Sequence, residues 1–131
     1  MTYKMNPVQF KQVILLSAQE RYDHFIGKVA DWEELWTLKG PDGFVMYSDS
    51  LGHECIPVWP HPDYAAALAN DSWDDCVPER LDLAYFLDKW IPGLIHDNRM
   101  VVVFPTPKEK GGIVYPEALK EDLMKEMQQY E

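Results

Sequence analysis

The stretch Leu35-Trp36-Thr37-Leu38-Lys39-Gly40-Pro41-Asp42-Gly43-Phe44-Val45-Met46-Tyr47 decides the class of fold. Trp36 and Leu38 alternate with Thr37 and Lys39, the period of a strand with one buried face. Gly40-Pro41-Asp42-Gly43 is turn chemistry, and Phe44 to Tyr47 resumes an extended pattern. A second turn, Asp49-Ser50-Leu51-Gly52, leads into His53-Glu54-Cys55-Ile56-Pro57-Val58-Trp59. Three strands joined by hairpins follow from this reading. Pro57 has no N–H for a ladder, so the third strand ends near it or lies at an edge.

Upstream the period is helical. Asn6-Pro7-Val8-Gln9 opens one helix and the capping box Ser17-Ala18-Gln19-Glu20 opens another. The second carries the stripe Tyr22, Phe25, Ile26 and Val29, with Arg21 assigned to its polar side. Downstream, Pro60-His61-Pro62-Asp63 starts a helix that runs through the alanines to Asn70. Cys76 to Leu81 reads as a strand interrupted by Pro78, and Asp82 caps a helix bearing Leu83, Phe86, Leu87, Trp90 and Leu94. Pro92-Gly93 should kink or end that helix early. Met100-Val101-Val102-Val103-Phe104 is the best strand and central in character. A short strand at Ile113 to Tyr115 and a helix from Pro116 close the chain. The expected fold is α+β, in the order ααβββαβαββα. It comprises a single domain, residues 1–131, with one mixed, largely antiparallel sheet and helices packed on it.

The 131 residues carry 22 acids and 12 bases, a formal net charge of −10. Residues 40–97 hold eleven acids against Arg80 and Lys89, so nearly all the excess lies there. A nucleic-acid partner and an anionic membrane surface are disfavoured, because both need exposed cations. The longest apolar runs, Val13 to Leu16 and Met100 to Phe104, are too short to span a bilayer. No leader-like apolar segment follows Met1, and Cys55 and Cys76 suit a reducing compartment, so a cytoplasmic location is expected.

The densest chemistry lies at Trp59-Pro60-His61-Pro62-Asp63-Tyr64, an indole, imidazole, carboxylate and phenol at a strand-to-helix junction. Trp73, in an acidic loop between Asp71 and Asp74, is expected to be partly exposed. Trp59, His61, Asp63, Tyr64 and Trp73 are therefore the candidate binding residues. The alternative role for the corner is structural, with Trp59 in the core and His61 capping the helix. His53, Cys55 and His61 match no zinc spacing, and no cofactor or metal is implied. Glu33/Glu34 and Asp74/Asp75 are adjacent acids that point different ways, so no catalytic pair is assigned.

Three segments together resemble a small bacterial family, the domain of unknown function 2750. They are Asp42-Gly43-Phe44-Val45, then Ile56-Pro57-Val58-Trp59-Pro60-His61-Pro62-Asp63-Tyr64-Ala65, then Phe86 to Leu94 leading into Val101-Val102-Val103-Phe104-Pro105-Thr106-Pro107. The resemblance implies a bacterial α+β protein and supplies no activity or catalytic residues. In layout alone the chain is also similar to the N-terminal domain of the enhanced-serine-sensitivity protein SseB. The leading expectation is a non-enzymatic protein-binding or regulatory module, with a basic protein partner as the candidate for the acidic segment. The alternatives are an inhibitor or immunity protein that neutralises a basic toxin, and an enzyme or small-ligand binder that uses the Trp59–Tyr64 corner.

Overall fold

The computed structural model describes residues 2–48, 51–70 and 73–130. Two helices come first, α1 (Pro7–Ile14) and α2 (Ala18–Trp32). Both start as their caps dictate. Asn6 Oδ1 accepts from the Gln9 N–H at 2.8 Å. Ser17 Oγ accepts from the Glu20 N–H while Glu20 Oε1 accepts from the Ser17 N–H, a closed capping box. Phe25, Ile26 and Val29 of α2 are buried, and Tyr22 is half-buried. Arg21 departs from its expected place on the polar side, for it is fully buried. It lies four residues before Phe25, one helical turn away and on the same face.

Strands and helices then alternate: β1 (Glu34–Gly40), β2 (Gly43–Phe44), β3 (Tyr47–Ser48), β4 (Glu54–Val58), α3 (Pro62–Ala66) and β5 (Val77–Asp82). After α4 (Leu83–Tyr85) a π turn covers Phe86–Trp90, and α5 (Ile91–His96) continues it. The chain closes with β6 (Met100–Val103), β7 (Gly112–Val114), α6 (Pro116–Met127) and a 3-10 turn at Gln128–Tyr130. The class is α+β, but the strands form two sheets where one was expected. One has the order β2-β1-β5 and the other β3-β4-β6-β7. The chain leaves the first sheet at Val45 and Met46, which splits the expected second strand into β2 and β3. An isolated β-bridge ties the sheets, with Trp36 N–H donating to Trp59 O and Trp59 N–H to Trp36 O, both at 2.8 Å.

Two prolines sit inside strands without breaking a ladder. Trp36 and Leu38 turn backbone groups away from β5, toward Trp59 and Val45. Pro78 pairs with Leu38, so it sits where the ladder asks for no N–H, and β5 runs through it uninterrupted. Its ring also blunts the outer edge of that strand. In β4, Pro57 pairs with Val102 of β6, and its carbonyl accepts from Thr37 Oγ1 at 2.7 Å. The β3 ladder has already ended at Cys55, so a missing N–H on that side costs little. Pro92 does not end its helix. Instead Ile91 N–H reaches back to Phe86 O, and the widened π turn makes room for the ring.

Strand β6 is central, parallel to β4 and antiparallel to β7. Its Val101, Val102 and Val103 are buried. A core cluster joins Val101 and Val103 to Phe25, Val29, Leu35, Leu38, Trp59, Leu119 and Leu123 from the surrounding helices and strands. Among the described residues no helix is long and apolar enough to cross a membrane.

Candidate functional site

The Trp59–Tyr64 corner turns most of its chemistry inward. Trp59 is fully buried, and its indole Nε1 donates to Pro105 O at 2.8 Å. His61 is buried as well. Its Nδ1 accepts from the Asp63 N–H at 3.1 Å, so Nε2 carries the proton that bonds Tyr3 O at 2.8 Å. The imidazole is thus the N-cap of α3, and its neutral tautomer is fixed by both partners. Tyr64 packs its ring on Phe104 and Phe10, with centroids 4.6 and 5.2 Å away. Asp63 alone of the four has an exposed side chain.

Trp59 therefore supports a second segment, the loop of residues 104–111 between β6 and β7. Phe104 enters that loop with a φ of +57°. A bulky L-residue in this region costs roughly 1–2 kcal/mol. Two bonds hold it there. Phe104 N–H donates to Val58 O at 2.8 Å, and Phe104 O accepts from Arg21 Nε at 3.0 Å. The same buried guanidinium bonds Leu16 O at 2.6 Å, Lys110 O at 3.4 Å and Glu109 Oε1 at 3.3 Å. One arginine thus ties the end of α1 to both ends of the loop, in the fork geometry a lysine lacks.

The loop closes on itself at its tip. Thr106 N–H donates to Glu109 O at 2.8 Å, and Thr106 Oγ1 accepts from the Glu109 N–H at 3.1 Å. Gly111 returns the chain so tightly that a Cβ there would overlap Val103 O and Pro105 N. Conformation is thereby set by buried groups, while the tip side chains Pro107, Lys108 and Lys110 stay exposed.

Beside this loop lies a cleft of about 220 Å³, walled by Trp73 and Leu68 on one side and residues 105–110 on the other. Trp73 is half-buried and held by backbone bonds, its N–H to Asn70 O at 2.8 Å and its O from Cys76 N–H at 3.0 Å. Asp71, its expected acidic neighbour, lies outside the described residues. The alanine helix stops at Ala66, short of Asn70, and the turn that follows brings Leu68 to the cleft.

The family described as "Protein of unknown function (DUF2750)" matches residues 22–123 of the 131. The chain belongs to this family. No curated protein matches the sequence. In this DUF2750 member the two quoted runs, Pro57 to Pro62 and Phe104 to Pro107, meet through the Trp59–Pro105 bond. The matched span holds the whole cleft and begins one residue after Arg21.

The other candidates stay apart. Both imidazole nitrogens of His61 are engaged, Cys55 Sγ points at His53 O at 3.7 Å, and His53 is exposed. Among the described residues no three His, Cys, Asp or Glu side chains gather as metal ligands. Both cysteines are free thiols. Burial, then the Asp75 carboxylate, push the Cys76 thiol up, away from a nucleophilic thiolate.

Glu34 is buried and structural. Burial acts to raise its carboxyl, but hydrogen bonds from Thr2 Oγ1, Arg80 Nε and Trp36 Nε1 outweigh it and hold the group below its ordinary range. Sequence reasoning missed Arg21 and the 105–110 loop. The helical phase of Arg21 with Phe25 and Val29 carried the signal for the first. The Phe104-Pro105-Thr106-Pro107 run stood out in the second, but nothing local marked it as a cleft wall, because the opposite wall comes from a distant segment.

Proposed function

We propose that this DUF2750 chain is a non-enzymatic binding module that holds a segment of a partner protein in the cleft between Trp73 and the 105–110 loop. The supporting observation is the buried Arg21, which sets the loop from below and leaves its tip side chains unspent. A site whose conformation is fixed before contact loses less entropy on binding. Trp73 supplies a large, stiff apolar wall, the side chain that most often anchors an interface. Trp59, His61 and Tyr64 act as supports in this reading, and Trp73 is the contact. A cytoplasmic setting fits the two free thiols.

Recognition of a basic partner through residues 40–97 has less behind it. Asp82 is shared with Arg80, Asp88 with Lys89, and Glu54 and Asp97 with Arg99. Those internal pairs thin the acidic field a partner would meet.

Site-specific photocrosslinking in native lysate tests the proposal. A benzoylphenylalanine at Pro107 should give one discrete protein adduct, lost in Trp73→Ala. The same probe at Leu15 or Asp88 should give none. A discrete adduct at Asp88 with none at Pro107 would move the binding surface to the acidic segment.

A further inference from the structure

The cleft carries a charge unlike that of the chain around it. Among the described residues its ionisable lining is Lys108, Glu109 and Lys110. Glu109 is itself exposed, but its Oε1 lies 3.3 Å from the buried Arg21 Nη1, where it offsets the guanidinium charge. Among the described residues Lys108 and Lys110 form no ion pair, and both are exposed. Of the other walls, Leu68, Trp73, Pro105 and Pro107 are apolar, and the Thr106 hydroxyl is already bonded to the Glu109 backbone. Asp74 and Asp75 follow Trp73 but do not line the cleft, and Asp75 Oδ1 sits 3.7 Å from Cys76 Sγ. A protein of net charge −10 thus presents two uncompensated ammonium groups over an apolar slot.

We propose that the occupant is an acidic, extended peptide segment, with Asp or Glu set next to a proline or large apolar residue. Its apolar side chain lies against Trp73 and Pro107, and its carboxylates face Lys108 and Lys110. Charge complementarity selects it, since a basic segment would meet two like charges at the rim, while the carboxylate between them is already paired with Arg21. The negative field of the remaining surface slows approach of such a segment, so added salt should raise the association rate while weakening the bound contacts. The inference rests on the cleft being the recognition surface, and it adds the chemistry of the partner.

A random dodecapeptide phage library panned on the full chain is the test. Enriched sequences should be acidic with an adjacent proline or large apolar residue. A synthetic peptide from that pool should bind Lys108→Glu/Lys110→Glu roughly tenfold or more weakly, and Trp73→Ala comparably weakly. Thermal unfolding of each variant within a few degrees of the parent shows that folding is not the cause. Lys108→Arg/Lys110→Arg should keep most of the affinity. Enrichment of basic peptides that Trp73→Ala still abolishes would overturn the acidic partner and leave the cleft standing. Enrichment indifferent to all these substitutions, or no enrichment, would overturn both.

Discussion

The indole N–H of Trp59 donates to the carbonyl of Pro105 across 46 residues of sequence, at 2.8 Å and out of contact with water. This bond joins the end of β4 to the first residue of the cleft loop. Trp59→Phe keeps most of the apolar volume and leaves the Pro105 carbonyl buried without its donor. The expected cost is about 1–3 kcal/mol by urea unfolding. Hydrogen exchange should quicken at residues 106–110. An unchanged midpoint would remove this bond from the account.

Arg21 carries the larger load. Arg21→Met strips donors from the Phe104, Leu16 and Lys110 carbonyls, so a loss of roughly 3–5 kcal/mol is expected, at about 1–3 kcal/mol per acceptor left unsatisfied. Arg21→Lys should recover little, because one ammonium cannot span Leu16, Phe104 and Lys110. Equilibrium unfolding of the two variants compares them directly, and near-parental stability in the lysine variant would mean that charge alone suffices.

Gly111 and Gly27 should respond oppositely to alanine. At Gly111 a Cβ meets backbone that cannot yield without moving the loop. Gly111→Ala should therefore lower Tm sharply. At Gly27, inside α2, a Cβ meets nothing within 4 Å. Gly27→Ala should stabilise by about 0.5–1 kcal/mol. Calorimetry on the pair reads both signs.

These residues mark what the sequence made legible. Caps at Asn6 and Ser17, the turn at Gly40–Gly43 and the central β6 depend on neighbours in the chain, and all can be read locally. The split into two sheets depends on the crossing at Val45 and Met46, which no periodicity announces. Trp59 and His61 stood out by residue type, yet side-chain identity says nothing about which way a polar atom points. The cleft was less legible still. Trp73 was visible as a half-exposed aromatic, but its opposite wall arrives from residues 105–110 through the buried Arg21.

His24 gives a pH signature. Burial, and secondarily the Lys28 charge, hold its imidazole below the ordinary value. Its Nε2 is buried without a hydrogen-bond partner among the described residues. His24 is thus neutral in the fold and protonates more readily when unfolded. The stability it contributes is fully present above its unfolded value, near pH 6.5, and is lost as pH falls through the lower folded value. His24→Leu should flatten the slope of unfolding free energy below about pH 6.5. An identical slope would assign the acid sensitivity to other groups.

Amide proton–nitrogen correlation spectra, recorded while a library-selected peptide is titrated into the full chain, test the central claim most directly. Shift changes should be confined to Leu68, Trp73 with its indole N–H, and residues 106–111 that carry amides. Changes centred on residues 79–89, with Trp73 and the loop silent, would contradict it.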